Sequence, residues 1–156
     1  FQLIKKLKKE GYKIKFCYIE FNKTINIPNQ GISDIKIVNP NQKALWKEIA
    51  SSDISLSLPK YDGFSNTIVE SLALGTYNII GDLKQYKFFK KNQTIGKLFK
   101  YGSTEKETIK NLYDVIKYTL PKIKKIRKNS EKRRIFALKN FSRGEGLDKL
   151  QNLINS

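Results

Sequence analysis

The stretch from Asp53 to Asp82, DISLSLPKYDGFSNTIVESLALGTYNIIGD, sets the architecture. Asp53 to Leu58 reads as a strand, and Pro59 breaks it. A loop with Gly63 at its centre follows, up to Ser65. Asn66 to Leu74 (NTIVESLAL) reads as a helix stopped by Gly75. Tyr77 to Gly81 (YNIIG) is a short apolar run of the kind found in a fully buried strand. Strand, helix and strand in that order make a βαβ unit, whose two strands run parallel.

The flanks extend this alternation. Upstream, Phe1 to Lys9 has helical spacing and Gly11 ends it, while Tyr12 to Phe21 (YKIKFCYIEF) alternates as a strand. Asn22 to Gly31 is a polar loop, Asp34 to Val38 a second strand, and Asn39-Pro40 a turn. Gln42 to Ser51 is a helix with Leu45, Trp46 and Ile49 on one side. Downstream, Leu83 to Lys91 holds a short helix and Gly96 to Tyr101 a fifth strand. Thr104 to Tyr118 is a helix capped near Ser103 or Thr104, with Glu107 in the first turn. Pro121 opens a very basic helical stretch, Phe141-Ser142 interrupts it, and Gly144 to Ile154 is a last helix. The expected fold is α/β: a doubly wound, Rossmann-like parallel sheet with helices on both faces, in one domain over residues 1–156.

Composition removes whole classes of chemistry. The 156 residues contain no His and a single Cys, Cys17. Ser-His-Asp and Cys-His catalysis, His-ligated metals and an intrachain disulfide are therefore excluded. Mid-strand, Cys17 reads as a small core residue. The formal net charge is +17, from 31 basic and 14 acidic residues. Such a balance invites polyanions. Yet only Arg127, Arg133, Arg134 and Arg143 are Arg, and the rest are Lys, so the forks suited to bidentate phosphate and base contacts are few. No apolar run reaches the ~18 residues of a membrane span. With Phe1 at its start and no Met anywhere, the sequence reads as a fragment of a longer protein.

In open α/β sheets, ligands sit beyond the carboxyl ends of the strands. The loop from Pro59 to Ser65 is the most unusual of those placed there. Gly63 lets the backbone approach a ligand closely. The first N–H groups of the following helix, at Asn66, Thr67 and Ile68, suit a phosphate or diphosphate. Asp62 and Glu70 bracket that anion site. Carboxylates repel phosphate, so their natural ligands are the hydroxyls of a sugar and of a ribose. The same two residues also fit a simple preference of acids for the positive end of a helix, at ~0.3–1 kcal/mol each. A glycosidase carboxylate pair is a further reading of the spacing alone.

The segment Leu58-Pro59-Lys60-Tyr61-Asp62-Gly63-Phe64-Ser65-Asn66-Thr67-Ile68-Val69-Glu70-Ser71-Leu72-Ala73-Leu74-Gly75 resembles the E-x7-E element of retaining GT-B-fold glycosyltransferases of the group 1, family 4 type. Their pattern runs P-S-x-x-E-G-F-G-x-x-x-x-E-A-M-A-x-G. Spacing is kept, and Gly63, Phe64, Glu70, Ala73 and Gly75 match. KALWKEIASSDISLSLP, NQTIGKLFKYGSTEKETIKNL and Asn140-Phe141-Ser142 resemble flanking segments of the same family, so the likeness covers nearly the whole chain. It implies the carboxyl-terminal, donor-binding half of a GT-B enzyme. Asp62, at the first Glu, would hold hydroxyls of the donor sugar. Gly63 and Phe64 would offer backbone contacts to it, and Ser65, Asn66 and Thr67 their N–H groups to the diphosphate. Ile68 would pack near ribose or base, and Glu70 would take the ribose hydroxyls. Asp62 and Glu70 are the residues to which it assigns the catalytic role.

The likeness further implies a nucleotide-sugar substrate, no metal and no other cofactor. The acceptor would be a glycan or lipid-linked molecule held by an amino-terminal domain this sequence lacks. The setting would be bacterial surface polysaccharide synthesis, capsule or lipopolysaccharide, in the cytoplasm and peripheral to the inner face of the membrane. Asp62 is one methylene shorter than the family's Glu, and the family's Gly-Gly loop is here Asp82-Leu83-Lys84-Gln85. The family's diphosphate-binding Arg and Lys have no counterpart, so the fragment alone is expected to be inactive.

Outside this segment, the basic run Lys122 to Arg134 reads either as a solvated helix face or as a dock for an anionic bilayer. A nucleic-acid- or polyanion-binding module is the alternative for the chain, although helix-turn-helix and aromatic-basic RNA motifs are missing and no nucleic-acid partner is expected. Phe88-Phe89 reads as packing, or as lining for an acceptor cleft.

Overall fold

The computed structural model describes residues 2–20, 34–59, 61 and 63–141. The expected loop Asn22 to Gly31 and last helix Gly144 to Ile154 lie outside them. The chain divides into two compact units, Phe1–Leu45 and Trp46–Ser156, each described by itself. The boundary falls inside α2.

In the first unit, α1 (Gln2–Lys9) buries Leu3, Ile4 and Leu7. Gly11 ends it with φ +88. Gly11 N–H donates to the Lys8 carbonyl and Tyr12 N–H to that of Leu7, a Schellman closure that needs the left-handed conformation glycine adopts without penalty. β1 (Cys17–Glu20) and β2 (Ile35–Val38) pair in parallel, Cys17 opposite Ile35. β1 is shorter than the alternation of Tyr12 to Phe21 suggests. Just before it, Phe16 N–H donates to the Asp34 carboxylate at 2.7 Å and Asp34 N–H to the Phe16 carbonyl at 2.9 Å, so a side chain takes over from the ladder there. Lys8 Nζ grips both Asp34 oxygens, at 2.9 and 2.7 Å. That ammonium, followed by the Phe16 N–H, holds the Asp34 carboxyl below its ordinary value. Asn39 takes φ +45, which its short polar side chain tolerates, and Asn41 Oδ1 accepts from Ala44 N–H to cap α2 (Gln42–Ser51). Cys17 is half-buried rather than a sealed core residue.

The second unit is built on a parallel sheet in the order β3 (Ile54–Ser57), β4 (Tyr77–Gly81), β5 (Gly96–Phe99). This is an α/β arrangement of parallel strands joined through helices. β4 lies in the middle and all five of its residues are buried. It carries one polar side chain inward. Asn78 Oδ1 lies 2.7 Å from Ser71 Oγ, and the Ile68 carbonyl lies 2.9 Å from the same hydroxyl, whose one proton serves one of these acceptors. The first crossover helix, α3 (Asn66–Ala73), sinks Ile68, Ser71, Leu72 and Ala73. Gly75, φ +85, closes it as Gly11 closes α1, with Gly75 N–H to the Leu72 carbonyl and Thr76 N–H to that of Ser71.

Beyond β4 the chain makes a 3-10 turn (Lys84–Tyr86) and then α4 (Phe88–Lys91), where one short helix is expected from the sequence. α5 (Glu105–Thr119) starts at Thr104, whose hydroxyl accepts from Glu107 N–H. The Glu107 carboxylate reaches back to the N–H and hydroxyl of Ser103, one residue earlier than in a standard capping box. A 3-10 turn (Leu120–Lys122) then leads into α6 (Ile123–Lys128) and α7 (Ser130–Phe141).

Arg133 on α7 belongs to none of the surfaces expected of the basic run. It is 1% exposed. Its Nε donates to the Gly75 carbonyl at 2.7 Å, and its two terminal nitrogens donate to Ile126 at 2.6 Å and Thr94 at 3.2 Å. One of these acceptors, the Ile126 carbonyl, lies in the last turn of α6, and the three carbonyls together compensate a buried cation in place of a carboxylate. Burial pulls the guanidinium below the ordinary arginine value. Among the described residues, no helix is long and apolar enough to cross a membrane.

Candidate functional site

The carboxyl edge of the β3–β4–β5 sheet is shaped by two tyrosines. Tyr101, two residues past β5, donates its phenol to the Pro59 carbonyl in the loop after β3. Its ring lies so close to Gly81, the last residue of β4, that a Cβ there would overlap it. One side chain thus reaches from the exit of β5 across the end of β4 to the loop after β3. Burial raises the Tyr101 hydroxyl above its ordinary value, keeping it protonated and able to donate. The second brace is Tyr86, fully buried, whose hydroxyl accepts from Ser65 N–H at 3.1 Å. Its ring also packs against Phe64, 5.7 Å between centres.

Among the described residues, no atom lies within 4 Å of the position a Cβ would take at Gly63, between these braces. Tyr61 is 95% exposed and Phe64 41%. Asp62, the first of the two carboxylates, lies outside the described residues. Phe64 leans on Phe88 and Phe141, with ring centres 6.1 and 5.4 Å away, and Phe88 stacks on Phe136 at 6.0 Å. The Phe88-Phe89 pair is therefore part of a packed aromatic cluster that supports the loop, with Phe89 in the core.

At Ser65 the chain turns into α3 with extended backbone (φ −72, ψ 121) and no side-chain cap. Its N–H is taken by Tyr86, so it is not directed at a ligand. Ile68 N–H likewise turns back to the Ser65 carbonyl at 3.1 Å. Asn66 and Thr67, both exposed, head the helix. The Ile68 side chain is 1% exposed and packs inward. Glu70, half-buried, lies one turn beyond Asn66 and Thr67 on the same face, at i+4 and i+3. Asn66, Thr67 and Glu70 thus form a polar face, and Ile68, Ser71 and Leu72 the buried one.

Across the edge, Asp82 follows β4 directly and pairs with Lys90 at 2.8 Å. This bridge ties the bulky Asp82-Leu83-Lys84-Gln85 loop to α4. Two amide donors at a positive helix end, with a carboxylate one turn on, can hold an anion and an adjoining hydroxyl together. Among the described residues no group of three or more His, Cys, Asp and Glu is placed to hold a metal ion.

Sequence reasoning placed the loops of this edge but missed Tyr86, Tyr101 and the Asp82–Lys90 pair. The only signal was their position in segments that follow the strands. No family model matches the chain, and neither a curated protein nor a solved structure is significantly similar to it.

Proposed function

We propose that the chain is the donor-binding half of a retaining glycosyltransferase with a GT-B, Rossmann-like architecture, and that its substrate is a nucleotide-diphosphate sugar. The observation that carries this reading is the start of α3. Asn66 and Thr67 head an eight-residue helix at the carboxyl edge of a parallel sheet, and Glu70 shares their face. In this reading the Asn66 and Thr67 amides take the diphosphate. Glu70 accepts from the ribose hydroxyls, and Asp62 from the hydroxyls of the transferred sugar. Gly63 lets that sugar approach the backbone. The leaving diphosphate gains charge as the glycosidic bond breaks, and the helix end stabilises it there. The acceptor, a glycan or a lipid-linked molecule, is bound elsewhere in the full enzyme. A role in bacterial surface polysaccharide synthesis at the inner face of the membrane follows from the same family resemblance.

Ligand-observed NMR against UDP-, GDP- and ADP-sugars tests the reading. Binding of one nucleotide class, weakened by Glu70→Ala and, when the sugar is present, by Asp62→Ala, supports it. Silence across the panel in both this chain and the full-length protein sinks it, and would favour the polyanion-binding alternative.

A further inference from the structure

The basic stretch from Lys122 to Arg134 does not form one surface. Arg133 is buried on carbonyls, Arg127 clasps Asp53 through Nε at 2.6 Å and a terminal nitrogen at 2.8 Å, and Arg134 pairs with Glu131 at 3.2 Å. What remains outside is lysine: Lys122, Lys124, Lys125 and Lys128 are all exposed. Lys97 from β5 joins them. Its Nζ stands 3.4 Å from the ring centre of Tyr118 on α5, and Lys122 Nζ stands 3.0 Å from the same centre. Tyr118 itself is 52% exposed. Residues 115–130 contain no Asp or Glu.

We propose that Lys97, Tyr118, Lys122 and Lys125 form a face that docks the protein on an anionic lipid surface. Two ammonium groups from different elements, those of Lys97 and Lys122, sit at the ring of one exposed phenol, and Lys125, exposed on α6, follows Lys122 by three residues. The Tyr118 hydroxyl is held below its ordinary value by Lys122 first, then by Lys97 and Lys125. Like charges held this close repel each other, and an anionic partner relieves the repulsion. A phenol with an apolar body and a polar tip suits the headgroup layer, where lysine stems also lie flat with their charges in water. Lipid fits this face better than nucleic acid does. The nearby arginines are engaged within the protein, so the face offers point charges rather than forks, and its single aromatic ring cannot stack successive bases. The face lies apart from the start of α3 in sequence, and the inference does not depend on donor binding.

Co-sedimentation of the chain with vesicles tests it, comparing phosphatidylglycerol mixed into phosphatidylcholine with pure phosphatidylcholine. The protein is expected to bind the mixed vesicles, to lose binding as salt rises, and to leave neutral vesicles in solution. Each of Lys97→Gln, Lys122→Gln and Lys125→Gln should lower partitioning by about fivefold, and the triple variant by about a hundredfold. Arg134→Gln should leave it within about twofold, since Arg134 is already paired with Glu131. Circular dichroism of the triple variant separates lost docking from lost folding. Equal binding to neutral vesicles overturns the proposal, as does an equal loss with Arg134→Gln. Tighter binding of a single-stranded oligonucleotide, abolished by the same triple variant, would overturn it in favour of nucleic acid.

Discussion

Replacing Arg133 with Met removes a guanidinium and keeps a long unbranched side chain in its place. The carbonyls of Gly75 and Thr94 then lose their donor, and that of Ile126 keeps only the Asn129 N–H at 3.1 Å. The site is sealed, with Arg133 at 1% exposure, so water does not readily replace it. An acceptor left unsatisfied in such a place costs about 1–3 kcal/mol. Part of that is offset, because the variant no longer buries a charge without a carboxylate partner. The net expectation is a loss of about 2 kcal/mol, near the low end of the range for two acceptors. Urea unfolding followed by circular dichroism reads this as a midpoint lowered by about 1 M. Arg133→Lys should recover about half, because one ammonium cannot span all three carbonyls at once. Lys132→Met, on the exposed side of the same helix, should stay within about 0.5 kcal/mol of the parent. A midpoint for Arg133→Met equal to the parent's, or an Arg133→Lys variant no better than Arg133→Met, would refute the claim that these hydrogen bonds stabilise the fold.

Two further outcomes concern the tied loop and the first unit. Gly81→Ala should push the Tyr101 ring aside and cost about 1–3 kcal/mol, while Tyr101→Phe should cost about 1 kcal/mol by removing the bond to Pro59. In the double variant the costs should fall short of additive, since the first change has already displaced the phenol; full additivity by thermal melts would contradict the contact. Asp34 has its carboxyl lowered by Lys8, so its contribution is complete above the ordinary Asp value and is lost as pH falls through the lower folded value. Protection of the Phe16 amide should therefore fade only below about pH 4. A carboxyl titration for Asp34 at or above the ordinary value would rule this out.

Most of the local structure was legible because it follows from short-range rules. Gly11 and Gly75 stop their helices in left-handed backbone, α2 runs over the expected Gln42–Ser51, and YNIIG is the buried central strand. The misreadings have local causes too. Alternation at Tyr12 to Phe16 suggested a longer strand, but the Asp34 side chain replaces the ladder there. The helix expected over Leu83 to Lys91 divides at Lys87, the residue between the 3-10 turn and α4. What the sequence could not display is long-range. Tyr86 meets Ser65 across 21 residues, Tyr101 meets Pro59 across 42, and Arg133 meets Gly75 across 58. No periodicity records such partners. A charged residue within Lys132-Arg133-Arg134 reads as surface, and only packing reveals that its middle member is core. For the candidate site, the position of the loop and the start of α3 could be read from Pro59, Gly63 and the helical spacing. The engagement of the Ser65 N–H by Tyr86 and the inward turn of Ile68 could not.

The central claim is that the start of α3 holds a nucleoside diphosphate. Amide chemical-shift mapping with UDP, GDP and ADP addresses it directly. The expected result is that one of the three shifts the Asn66 and Thr67 amides most, and that Glu70→Ala weakens the same nucleotide by at least about tenfold. Unmoved amides from Ser65 to Glu70 with all three nucleotides, or shifts confined to the lysines around Tyr118, would contradict it.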